Sequence, residues 1–111
     1  MLNKIQVALP LKAIKDYCHR NQIARLSLFG SALRDDFTAD SDLDLLVEFE
    51  VGARVGYFRL VEMQQDLSVL VGRRVDLLTQ GAISRYFRDD VMATAEIIYE
   101  AWRKEGRGNS N

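Results

Sequence analysis

Little in this chain can ligate a soft metal or titrate near neutral pH: it has one cysteine, Cys18, and one histidine, His19. A lone cysteine excludes an intrachain disulfide, and a lone histidine makes a His-rich zinc site or a His-based catalytic triad implausible. Positive charge is not in excess either. Fifteen Lys and Arg stand against 16 Asp and Glu, a formal net charge of -1, so the basic surplus of a general nucleic-acid binder is missing. No apolar run reaches the roughly 18 residues a membrane helix needs, and the N-terminus lacks the basic-then-apolar layout of a signal peptide. The expectation is a cytoplasmic protein with no membrane partner. With 48% hydrophobic residues over a length of 111, the chain can build one core. One domain is expected over residues 1–102, with a polar, Gly-rich tail at 103–111 expected to be disordered. Whatever chemistry exists must run on carboxylates.

Hydrophobic spacing outlines the elements. Pro10 suits a first helical turn, and Leu11, Ile14, Tyr17 and Cys18 share a helical face over residues 10–20, with Cys18 as core filler and His19 on the surface. Residues 25–29 alternate as a short strand that ends at Gly30, and a brief helical turn is expected over Ala32 to Asp36. In residues 43–50, Leu43, Leu45, Val47 and Phe49 fall on one face and Asp44, Leu46 and Glu48 on the other, as in a half-buried strand. Gly52 and Gly56 bracket a loop. The longest helix follows, with Leu60, Met63, Leu67 and Leu70 at helical spacing and a stop at Gly72. Residues 73–79 read as a third strand, with Val75 and Leu77 opposite Asp76 and Leu78, and residues 82–94 as a helix. Residues 95–100 suit either an extension of that helix or a last edge strand. The fold class is α/β (α+β): a small mixed sheet of three to four strands packed on helices, with one apolar face and one carrying acid.

The acid is concentrated at one point. Asp42 and Asp44 are two positions apart on an extended segment, so both side chains point the same way, and two adjacent carboxylates resist joint ionisation unless a cation lies between them. Hard oxygen ligands at this spacing suit magnesium, which takes one or two carboxylates, several waters and nucleotide phosphate oxygens. Asp76 joins them if the third strand lies beside the second, giving a site for one or two ions. Gly30 and Ser31 supply a complementary half, because Gly permits close backbone approach and a Ser hydroxyl and N–H at a helix start point at an anion, for which a triphosphate is the candidate. Arg34, one turn on, adds a fixed charge. Each feature alone is ordinary. A Gly-Ser followed at one fixed distance by Asp-x-Asp arises by chance on the order of once per thousand chains of this size.

At Gly30, Ser31, Asp42, Asp44 and Asp76 the sequence resembles the nucleotidyltransferase superfamily typified by DNA polymerase beta, whose hallmark is Gly-Ser, about ten residues, Asp-x-Asp and a later third Asp. The stretches "LFGSALRDDFTADSDLDLLVEF" and "GRRVDLLT" look most like the minimal nucleotidyltransferases encoded beside HEPN-domain proteins. The resemblance covers about residues 25–100, and no motif residue is missing. It implies a magnesium-dependent antitoxin that transfers AMP from ATP to a tyrosine of a HEPN ribonuclease toxin, in a hetero-oligomer with it. On that likeness Asp42, Asp44 and Asp76 are catalytic and metal-binding, and Gly30, Ser31 and Arg34 bind nucleotide. The alternatives are a binding module that masks its partner sterically and nucleotidyl transfer to a small molecule. Arg73 and Arg74 could touch phosphate or a partner, but the ordinary expectation for arginines before a strand is solvation. Tyr57, Phe58, Tyr86, Phe87 and Trp102 could form a partner patch, but aromatics at helical spacing are expected to pack inward.

Overall fold

The computed structural model describes residues 9–30 and 41–101. In chain order these form α1 (Leu11–Arg20), β1 (Ile23–Phe29), β2 (Leu43–Phe49), α2 (Tyr57–Val71), β3 (Val75–Thr79), a 3-10 turn (Gln80–Ala82), α3 (Arg85–Thr94) and β4 (Glu96–Glu100). The sheet order is β3-β2-β1-β4. β1 is antiparallel to both β2 and β4, whereas β2 and β3 run parallel. Parallel neighbours need a long crossover, and α2 supplies it.

The apolar halves of the strands and helices meet in one core. Ile14, Tyr17 and Cys18 of α1 and Met63 and Leu67 of α2 pack with Leu26, Leu28, Leu43, Leu45, Val47, Val75, Leu77 and Tyr99 of the sheet. Leu60 and Leu70 pack half-buried at its margin. Cys18 fills core space as expected, and burial pushes its thiol up to about 12. α2 ends where Gly72 turns left-handed (φ 79°) and its N–H reaches the Ser68 carbonyl. The Tyr17 hydroxyl donates to Asp66 at 2.8 Å, tying α1 to α2. Burial and that bond both raise the phenol's pKa.

β3 is an edge strand, and α2 finishes its hydrogen bonding with side chains. Gln64 Oε1 accepts the Leu77 N–H at 2.9 Å, and Ser68 Oγ accepts the Val75 N–H at 3.0 Å. The Ser68 hydroxyl in turn donates to the Gln64 carbonyl. Two outward donors that would otherwise offer a pairing edge are thereby occupied.

Several expectations need correction. Of the two readings left open for residues 95–100, the edge strand is the one adopted, over Glu96–Glu100, and the first strand begins at Ile23, two residues earlier than expected. The helix expected from residue 82 begins at Arg85, because Ser84 caps it by accepting the Tyr86 N–H. β2 is more than half buried: Leu46 lies in a central strand beside Ser27 and Leu78 and is 1% exposed. Tyr57, Phe58, Tyr86 and Phe87 do not pack inward; they are 73%, 83%, 82% and 62% exposed. Each pair occupies the first turn of its helix, α2 or α3, and in that turn of α2 it is Leu60 that packs against the core. Trp102, the turn expected over Ala32 to Asp36 and the tail lie outside the described residues.

Gln64→Ala should leave the Leu77 N–H without its acceptor and cost about 1–2 kcal/mol. Hydrogen exchange should then show the Leu77 amide losing protection while the Leu45 amide keeps its own. Unchanged exchange at Leu77 would mean that the side chain does not hold the edge.

Candidate active site

The strand directions bring the separated motif residues to one end of the sheet. β1 leaves the sheet at Phe29, beside Asp44 near the start of β2, since the antiparallel register pairs the two residues. β3 enters at the same end because it runs parallel to β2, and its register sets Asp76 directly beside Asp44. Asp42 and Asp44 flank the fully buried Leu43. Alternation therefore puts both carboxylates on the face opposite the core, and Asp76 joins them between buried Val75 and Leu77. All three aspartates are half-exposed.

Gly30 closes the corner. Its φ is +72°, and a Cβ built there would overlap the Asp44 carboxylate, lying 3.2 Å from its Cγ and closer still to Oδ2. Only a residue without a side chain lets the backbone leaving β1 pass so near that carboxylate. The Gly and the second Asp of the motif are thus in contact, although fourteen positions separate them (44 minus 30). Ser31 and Arg34 lie outside the described residues.

Basic residues border the acid. Arg73 Nη1 donates to the Ser41 carbonyl at 3.1 Å, and Arg74 Nε lies 3.9 Å from Asp42 Oδ1. The Leu43 N–H donates to the Arg74 carbonyl at 2.9 Å, which fixes the backbone of that arginine beside Asp42. Arg74 is solvated as ordinarily expected of an arginine before a strand, its side chain 77% exposed, whereas Arg73 is half-buried. What brings Arg74 to Asp42 is the pairing of the segments just ahead of β2 and β3, which the sequence does not show.

Among the described residues, no three His, Cys, Asp or Glu side chains already converge as ligands of a single ion. The donor set nonetheless fits magnesium: it is all carboxylate oxygen, and magnesium takes only one or two such ligands from protein, completing its shell with water and phosphate oxygens.

A nucleotidyltransferase domain model matches residues 11–99. The chain belongs to that family. Protein adenylyltransferase MntA of Thermococcus cleftensis is 29% identical over 85 residues, which is 77% of this chain and 82% of the relative. A solved structure, provisionally described as a minimal nucleotidyltransferase, is 33% identical with a TM-score of 0.63, covering 77% of this chain and 85% of its own. A toxin–antitoxin crystal structure with AMP-PNP shares the fold at a TM-score of 0.68 and 20% identity, covering 84% of this chain and 75% of its own. The four-stranded mixed sheet with helices agrees with the expected nucleotidyltransferase fold.

Gly30→Ala tests the corner directly. The left-handed backbone should cost about 1–3 kcal/mol with a side chain present, and the added methyl must displace the Asp44 carboxylate. Thermal melts should show the first effect and calorimetry with magnesium and ATP a weakened affinity. Unaltered nucleotide affinity would mean that the Gly30 contact does not position the site.

Proposed function

We propose that this protein is a magnesium-dependent nucleotidyltransferase that moves AMP from ATP to a tyrosine hydroxyl of a HEPN-domain toxin, and so acts as that toxin's antitoxin. The observation that carries the reading is the meeting of Gly30, Asp44 and Asp76 at one sheet end, beside Asp42. Like charges opposed across a ladder destabilise it, a cost that a bound cation offsets. Family membership and the names carried by its relatives support a protein acceptor.

Asp42, Asp44 and Asp76 would hold one or two magnesium ions, which supply neutralising charge for the triphosphate and polarise the phosphorus under attack. Gly30 and Ser31 grip the phosphates through backbone N–H groups, with Arg34 adding positive charge. Asp76 helps remove the proton of the incoming hydroxyl. The hydroxyl oxygen bonds to the α-phosphorus, the bond from that phosphorus to the bridging oxygen breaks, and pyrophosphate departs with the displaced electron pair. The half-exposure of all three aspartates suits a shallow site that a protein segment can approach from solvent.

Asp42→Asn combined with Asp44→Asn should abolish transfer and leave the melting temperature in metal-free buffer unchanged or slightly raised, because like-charge repulsion beside Asp76 is relieved. A large drop in melting temperature would make the aspartates structural.

Catalysis and masking are separated by stoichiometry. A substoichiometric amount of this protein, with ATP and magnesium, should inactivate the toxin and add one or more AMP units to it, read by mass spectrometry. An unmodified toxin inhibited only at equimolar ratio, with or without nucleotide, would replace transfer by masking.

A further inference from the structure

The acid corner has four members rather than three. In the parallel pairing of β2 with β3, Asp44 lies beside Asp76. Just ahead of the two strands, Asp42 lies beside Arg74, held there by the Leu43 N–H to Arg74 carbonyl bond of 2.9 Å and the 3.9 Å approach of the side chains. Residues 42, 44, 74 and 76 therefore form a two-by-two array on one face, three carboxylates and one guanidinium.

The two neighbouring arginines differ in what they hold. Arg73 reaches back to the Ser41 carbonyl, steadying the approach to Asp42. Arg74 contacts Asp42 only loosely, and its side chain is 77% exposed. At 3.9 Å the pair lies beyond hydrogen-bond distance, and a pair so open to water contributes little to stability. A planar guanidinium fixed by its backbone but weakly engaged by its partner is suited to bind two oxygens of a multiply charged phosphate.

We propose that Arg74 binds the β- or γ-phosphate of the nucleotide, exchanging its loose contact with Asp42 for phosphate oxygens when a cation occupies that carboxylate. This rests on the nucleotidyl-transfer reading above and adds to it a phosphate ligand from the β3 side of the site, opposite the Gly30 side. Arg74 keeps Asp42 partly compensated before the cation arrives and then contacts the polyphosphate that arrives with it.

The test is equilibrium binding, measured by calorimetry, of magnesium-ATP and of AMP to the full chain and to Arg74→Ala, Arg74→Lys and Arg54→Ala, the last an exposed arginine in the loop that follows β2 at the strand end away from Asp42, with thermal melts to show that each variant is folded. Loss of a charge-assisted contact should weaken magnesium-ATP binding by about tenfold to a hundredfold in Arg74→Ala. Arg74→Lys should restore part of it. AMP, which lacks the outer phosphates, should bind Arg74→Ala and the unaltered chain alike, and Arg54→Ala should match the unaltered chain for both ligands. Equal magnesium-ATP affinity for Arg74→Ala and the unaltered chain overturns the Arg74 assignment and leaves nucleotidyl transfer standing. An equal loss in Arg54→Ala also overturns it, since the effect would then be general charge. If the unaltered chain fails to bind magnesium-ATP, the transfer reading falls and the assignment with it.

Discussion

The parallel pairing of β2 with β3 is the constraint on which the site depends. It sets Asp44 against Asp76 and Asp42 against Arg74, and it places two carboxylates side by side where a ladder would prefer opposite charges. The cost of like charges directly opposed is about 0.2–1 kcal/mol. On the other face of the same two strands, Leu43, Leu45, Val75 and Leu77 are all 3% exposed or less, and each such burial is worth about 1.5–3 kcal/mol. Packing beneath the strands outweighs repulsion above them several-fold. Packing beneath the strands can therefore keep Asp44 and Asp76 side by side despite their like charge.

That pairing is secured from outside as well. Among the described residues β3 has a strand on one side only, and the Gln64 and Ser68 side chains of α2 take up two of its outward N–H groups. They are four residues apart on the helix, and the donors they meet are two apart on the strand, so about 6 Å of helix rise meets about 6.6 Å of strand. The match lets a helix serve as the absent neighbour strand. The anchoring of α2 to α1 through Tyr17 and Asp66, and through Arg59 to the Asn21 side chain, continues the same support away from the site.

Much of this was legible in the sequence. Asp-x-Asp ahead of alternating apolar residues fixes the face on which those aspartates stand, and Gly72 after an apolar helical stripe fixes where α2 stops. Other features were not legible, for identifiable reasons. Residues 95–100 carry apolar neighbours with no clean period, and only pairing with β1 makes them a strand. Strand order, and so the partnership of Asp42 with Arg74, is a long-range property that no local window contains. The exposure of Tyr57, Phe58, Tyr86 and Phe87 escaped because the core face has to be assigned residue by residue: Phe58 stands two positions from the core-packed Leu60, which puts it on the opposite side of α2, and α3 has no fully buried residue to define such a face.

The uneven burial of the helices shows where this architecture is firm and where it is not. α1 and α2 each bury side chains in the core, whereas α3 has no fully buried residue. Its described anchors are local, the Ser84 cap at its start and the Arg88 bond to the Ile83 carbonyl, and neither reaches across the sheet. Segments with few buried apolar contacts open at the lowest free energy. α3 nonetheless sits between β3, which carries Asp76, and β4, which closes the sheet beside β1. Opening α3 need not disturb Asp76, because the pairing of β3 with β2 and its capping by Gln64 and Ser68 involve no α3 residue. The acid corner is thus insulated from the helix with no fully buried residue: the packing and hydrogen bonds that fix the carboxylate positions run along β2, β3 and α2.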